Sequence, residues 1–109
     1  MKTISIGKDY SDTPLGRYEG DGPFNGTRFR EEFLRPALES GEAVHVKIDD
    51  TEGYGSSFLD EAFGGLVRFG YFSASELQSK LVIELEDQDY NLYKNLIWRY
   101  IDSAQPAPK

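Results

Sequence analysis

The side chains best suited to chemistry gather in one short stretch, Asp49-Asp50-Thr51-Glu52-Gly53-Tyr54-Gly55-Ser56-Ser57-Phe58-Leu59-Asp60-Glu61. It offers five carboxylates, two adjacent serines and a tyrosine. A serine at a helix start is a plausible phosphoacceptor, because free backbone N–H groups and the positive end of the helix dipole favour a phosphate there. The five acids around Ser56 and Ser57 would repel that phosphate, and no arginine clamp is evident nearby. A simpler role is local: Ser57 followed by Asp60 fits a capping pattern, with the hydroxyl accepting from a first-turn N–H. Gly53 and Gly55 supply a turn. Tyr54, Ser56, Ser57, Asp60 and Glu61 are therefore the candidate partner-binding or phosphoacceptor residues.

The remaining inventory is thin. Asp49, Asp50 and Glu52 are oxygen ligands of the type hard cations take, but their spacing does not fit a twelve-residue calcium loop. A solvated acidic loop is the expectation, with no metal and no cofactor. His45 is the single histidine and has no serine or acid beside it in sequence. The chain contains no cysteine, which excludes disulfides, zinc ribbons and thiol catalysis. Arg17, Arg28 and Arg30, with Arg35, form a basic set that suits a phosphate or an acidic partner. They are also placed to make surface pairs with Glu31 and Glu32, or to face residues 49–52. A carboxylate site around Asp49, Asp60 and Glu61 is the one enzymatic alternative. With so few catalytic groups, the chain is expected not to be an enzyme.

These residues need elements to position them. Ile4 and Ile6 alternate with polar neighbours, which predicts a first strand. Residues 9–26 are dense in Asp, Ser, Pro, Gly and Asn, which predicts a long loop with a short strand near Gly16-Arg17-Tyr18. Phe29, Phe33, Ala37 and Leu38 recur at helical spacing, with a break or kink expected at Pro36. Val44, Val46 and Ile48 alternate with His45, Lys47 and Asp49 in a second strand. Leu59, Ala62, Phe63, Leu66 and Val67 predict a second long helix, and Ser75-Glu76-Leu77-Gln78 a short helical turn. Leu81, Ile83 and Leu85 predict a third strand. Tyr93, Leu96, Ile97, Tyr100 and Ile101 predict a C-terminal helix, with Asp87 or Asp89 near its start. Trp98 falls off that apolar face and is a candidate anchor for a partner or a homodimer.

Alternating strands and helices define an α/β domain. The strands carry His, Lys and Glu on alternate positions. The expected architecture is therefore a single domain, residues 1–103, with a three- to four-stranded mixed sheet and helices mainly on one face. Residues 104–109 read as a flexible polar tail.

The 109 residues fit one domain and one hydrophobic core. Nineteen acids against twelve bases give a net charge of −7. That sign argues against direct nucleic-acid contact and against docking on anionic lipid. No segment has the length of a membrane helix and no signal-peptide core is present, so a cytoplasmic location is expected.

The stretch Gly53-Tyr54-Gly55-Ser56-Ser57-Phe58-Leu59-Asp60-Glu61-Ala62-Phe63-Gly64-Gly65-Leu66 resembles the signature of STAS-like domains of unknown function, small bacterial and phage proteins. The upstream Gly16-Arg17-Tyr18, Asp21-Gly22-Pro23-Phe24-Asn25-Gly26, Phe29-Arg30-Glu31 and Leu34-Arg35-Pro36-Ala37-Leu38 resemble the same family. A more distant similarity links Gly55-Ser56-Ser57-Phe58 to the Asp-Ser-Ser-Gly of anti-sigma factor antagonist STAS domains, in which a serine is phosphorylated. The resemblance implies a STAS-like fold and a regulatory role through a protein partner. That partner is expected to be a histidine-kinase-like ATPase bound at residues 53–61. The acidity also suits an alternative, an inhibitor or decoy that fills a basic channel on a nucleic-acid-processing protein.

Overall fold

The computed structural model describes residues 1–106. Three short strands, β1 (Lys2–Ser5), β2 (Val44–Lys47) and β3 (Leu81–Glu84), form one sheet in the order β1-β2-β3. Both pairings are parallel, so the expectation of a mixed sheet is corrected. The reason is connectivity. Each link between strands contains a helix that carries the chain back to the end of the sheet where the previous strand began, and the next strand enters in the same direction.

The register places Ile4, Val46 and Ile83 at one level and Thr3, His45 and Val82 at the next. Ile4, Val44, Val46, Leu81 and Ile83 are buried, whereas Thr3, His45, Lys47, Val82 and Glu84 are exposed or half-buried. One-directional strand order with right-handed crossovers puts both crossovers over the same face. The sheet thus has one dry face and one wet face.

Helix α1 spans residues 26–39. Asn25 caps it, accepting from the Arg28 N–H at 2.9 Å. Pro36 does not break it. The turn Arg30–Leu34 widens to π geometry, and the Arg35 N–H donates to the Arg30 carbonyl five residues back. The ladder has already shifted where Pro36 enters, which accommodates a residue without an N–H.

Helix α2 spans residues 56–68 and also contains a π turn, Asp60–Gly64. Helix α3, Ala74–Lys80, is longer than the turn expected at 75–78 because Ser73 and Glu76 form a reciprocal capping box. Helix α4, Asn91–Ser103, follows a 3₁₀ turn, Gln88–Tyr90, that Asp87 caps.

The core lies between the helices and the dry face, around the fully buried Phe29, Phe58, Phe63, Leu66, Ile97 and Ile101. Trp98 and Tyr100 are half-buried against its edge. No fourth strand forms near Gly16-Arg17-Tyr18. Gly16 turns the chain at φ +85°, and the Asp21 carboxylate takes the Arg17 and Tyr18 N–H groups that a strand would have paired. Of the C-terminal tail, Ala104 packs on the core and residues 107–109 lie outside the described residues.

Candidate functional site

Parallel strands bring the three C-terminal loops to one end of the sheet, where side chains stitch them together. Asp49 Oδ2 accepts from the Glu86 N–H at 2.5 Å and the Asp87 N–H at 2.9 Å. The buried Oδ1 of Asp49 has no hydrogen-bond partner among the described residues. Asp50 accepts from Ser5 Oγ at 2.5 Å and lies 3.4 Å from Lys47 Nζ. Gly7 is required beside it, since a Cβ there would fall 2.0 Å from the Asp50 carbonyl oxygen. The Glu52 N–H donates to the Asp12 carbonyl, and the Tyr90 hydroxyl to the Thr51 carbonyl.

Tyr54 is committed to this framework. Its hydroxyl donates to the Ile48 carbonyl at 2.6 Å, and its ring packs against Phe58 and, edge-on, Tyr93. Burial pushes its phenol well above the ordinary range. Gly53 adopts φ +117°, the turn conformation expected of it. Gly55 does not. It sits at φ −79° and occupies the N-cap of α2.

Ser57 is therefore not the cap. Ser56 and Ser57 are the first two helical residues, Ser56 exposed and Ser57 half-buried. Ser57 lines a cleft of 470 Å³ with Leu15, Gly16, Arg17, Asp21 and Gly55. The cleft is the gap between the loop that follows β1 and the first turn of α2. Arg17 closes one side, with Nη1 2.7 Å from Asp60 Oδ2 and 3.6 Å from Glu61 Oε1.

Beneath the cleft two carboxylates meet three arginines. Arg68 Nη1 reaches Asp60 Oδ1 at 3.0 Å. Arg30 Nη1 donates to Glu61 Oε2 at 2.8 Å. Burial alone would raise the Asp60 carboxyl, but hydrogen bonds from Arg17 and Arg68 hold it below its usual value. The bond to Asp60 in turn raises the Arg17 guanidinium above its usual value.

The expected arginine set is therefore dispersed. Arg17 faces the cleft. Arg28 pairs with Glu32 at 2.7 Å along α1. Arg30 is buried against Glu61 rather than paired only at the surface. None of the three pairs with residues 49–52. Glu61, expected on a partner surface, is buried as well. His45 lies on the wet sheet face against Glu84 of the neighbouring strand.

The buried pair was the residue combination sequence reasoning missed. Its signal was present: Arg30 continues the Gly26, Phe29, Phe33 face of α1, and Glu61 continues the Phe58, Ala62, Gly65 face of α2. A charge inside each apolar stripe marks two helices that meet through those charges. The glycines agree. A Cβ on Gly26 would fall 2.7 Å from the Phe58 carbonyl oxygen, and one on Gly65 2.4 Å from Arg30 Nη1.

An all-parallel α/β sheet with one covered face and a cleft at the start of the second crossover helix defines a small α/β domain with an open strand-end crevice. The chain belongs to the family described as the STAS-like domain of unknown function (DUF4325), whose model matches residues 25–90. That span includes the Gly26, Arg30, Glu61 and Gly65 contact and the serine pair, while Arg17 precedes it. Comparison with curated proteins and with solved structures returned no match. Among the described residues no helix is long and apolar enough to cross a membrane, and no three acids or histidines are grouped to hold a metal ion.

Proposed function

We propose that this chain is a regulatory protein-interaction domain that presents the start of α2 to a protein partner, with Ser57 as the residue whose modification switches binding. One observation carries the reading. Ser57 borders an open cleft whose other wall is a loop held in place by an arginine, while the neighbouring Ser56 is exposed. The surrounding acids weigh less against a phosphate than their number suggests, because Asp60 and Glu61 are already paired with arginines. The partner class that fits a STAS-like switch is a histidine-kinase-like ATPase.

The test is recovery of partners on tagged wild type, Ser56→Ala/Ser57→Ala and Ser56→Asp/Ser57→Asp, each checked for folding, with intact-mass analysis of the bait. A kinase-like ATPase held by wild type and lost with the aspartates is the expected result. Equal recovery on all three baits, or no enriched protein with an unmodified mass, overturns it.

A further inference from the structure

Asp60 is served by two arginines. Arg17 Nη1 lies 2.7 Å from its Oδ2, and Arg68 Nη1 lies 3.0 Å from its Oδ1. Glu61 has Arg30 at 2.8 Å, with Arg17 and Arg68 both at 3.6 Å. If Arg17 withdraws, Asp60 keeps Arg68, which also donates to the Asp60 carbonyl at 3.2 Å, and Glu61 keeps Arg30. Either Arg17 or Arg68 can therefore be released without stranding a carboxylate. Of the two, Arg17 lines the cleft.

The backbone of Arg17 is fixed while its guanidinium is not. The Arg17 N–H donates to Asp21 Oδ2 at 3.0 Å. The Arg17 carbonyl accepts from the Thr27 N–H at 3.0 Å and from the Thr27 hydroxyl at 2.7 Å. The half-exposed side chain can swing without dragging the loop. The hydroxyl it can turn to is that of Ser57, which lines the same cleft. Ser57 stands three residues before Asp60 on α2, and helical side chains three apart share a face, with Cβ atoms about 5–6 Å from one another. A guanidinium on Asp60 is thus one helical turn from Ser57.

A phosphate on that hydroxyl competes strongly for the guanidinium. It carries about 1.5–2 negative charges at neutral pH against the carboxylate's one, and it takes an arginine fork bidentately. Asp21 is the opposing charge in the cleft, but its Oδ2 is already engaged by the Arg17 and Tyr18 N–H groups. Ser56, one residue earlier, is exposed and lies outside the cleft lining.

We propose that a phosphate on Ser57 draws Arg17 off Asp60 and pairs with it across the cleft, so that the modification closes the cleft. The inference rests on the regulatory reading of Ser57 and specifies how the switch is thrown. The phosphoryl group comes from a nucleoside triphosphate held by the modifying kinase. Ser57 Oγ bonds to the γ-phosphorus, the bond to the departing diphosphate breaks, and the hydroxyl proton passes to a base of that kinase. Asp60 stays paired through Arg68.

The test uses the full chain with phosphoserine incorporated at position 57 or, as the control, at position 56. Phosphorus resonances followed through pH give the second ionisation of each phosphate, ordinarily about 6. At position 57 it is expected about half to one pH unit lower than at 56, because a guanidinium favours the doubly charged form. Arg17→Gln should bring the value at 57 back to that at 56. A crystal structure of the chain phosphorylated at 57 should place the Arg17 guanidinium on the phosphate and leave Asp60 on Arg68 alone. Equal values at 56 and 57, no effect of Arg17→Gln, or Arg17 still on Asp60 overturns the inference. So does a chain that folds with phosphoserine at 56 but not at 57, since the cleft then does not accept the phosphate. No partner enters these measurements. If they come out as expected while partner recovery is indifferent to Ser57, the regulatory reading falls and the exchange of Arg17 stands. If partner recovery depends on Ser57 while the phosphate titrates alike at both positions, the exchange alone falls.

Discussion

The guanidinium of Arg30 donates through a single nitrogen, Nη1, to both Glu61 Oε2 at 2.8 Å and the Glu61 backbone carbonyl at 2.6 Å. Their side chains are 4% and 3% exposed, so two full charges are held out of water against each other. The contact joins the π turns of α1 and α2, and the Arg30 guanidinium also lies 4.6 Å from the centre of the Phe69 ring. It fixes where α2 lies on α1, and therefore where Ser57 lies relative to the loop above it.

Breaking this pair should cost more than the pair is worth. Arg30→Met leaves the buried Glu61 only the longer 3.6 Å contacts to Arg17 and Arg68, and Glu61→Gln leaves the buried Arg30 only Glu31 at 2.9 Å, a loss of about 1–3 kcal/mol. Arg30→Met/Glu61→Leu removes both charges and should recover most of that loss. Denaturant unfolding of the four proteins as a double-mutant cycle measures the difference. Single variants within about 1 kcal/mol of wild type would show that Arg17, Arg68 and Glu31 make up for the lost partner.

Gly26→Ala should be destabilising although alanine is the better helix former. The added methyl meets backbone, the Phe58 carbonyl oxygen at 2.7 Å and the Ala62 nitrogen at 3.1 Å, and backbone yields only by moving a helix. A cost of about 1–3 kcal/mol is expected. Gly20→Ala is the control, since nothing lies within 4 Å of its Cβ position and its φ is not positive. It should unfold like wild type.

The regular alternation of Val44, Val46 and Ile48, and the three-and-four spacing of residues 59–67, made the strands and helices legible in sequence, because period alone separates a half-wet strand from an amphipathic helix. Strand direction was not legible, since alternation is the same in either orientation. The break that Pro36 suggested does not form, because a π turn over Arg30–Leu34 shifts the hydrogen-bond ladder just before it, and that turn leaves no local signal in the sequence. The site was half legible. The serine pair and its glycines stood out, but Ser57 lost the cap role to Gly55, whose backbone simply stays extended at φ −79°, ψ 144°. The Arg17–Asp60 contact spans 43 residues and no local pattern announces it.

Stability should fall on acidification through the strand-end framework. A hydrogen bond from Ser5, outweighing a small burial effect, and the nearby Lys47 lower the Asp50 carboxyl. Burial opposes ionisation of Asp49, but the Asp87 and Glu86 N–H groups overcome it, and Asp60 is lowered likewise by Arg17 and Arg68. Each folded pKa lies below its unfolded value. Their contribution is thus fully present above the unfolded aspartate value of about 3.9. It is lost as pH falls through the lower folded values. Thermal unfolding should be flat with pH well above that point and drop below about pH 4. Asp49→Asn/Asp50→Asn should be less stable at neutral pH and show a shallower acid drop.

Arg17 is a latch whose loss should be felt in the cleft more than in the fold. Its side chain is 36% exposed, so pairing with Asp60 at 2.7 Å is screened by solvent and should stabilise the chain by no more than about 1 kcal/mol. The loop keeps its backbone ties without it. The Leu15 N–H still donates to the Phe24 carbonyl, and the Gly26 N–H to the Gly16 carbonyl. What Arg17→Gln removes is the charged contact between residues 15–21 and the first turns of α2. Amide exchange should therefore quicken at residues 17–21 and 56–60 while the sheet and α4 keep their protection. Asp60→Asn should do the same to the loop, though with a larger cost because Arg68 also loses its shortest carboxylate contact. Unchanged exchange in the loop would mean that the backbone bonds alone hold the cleft. Faster exchange throughout the chain would instead make Arg17 a support of the whole α1–α2 contact.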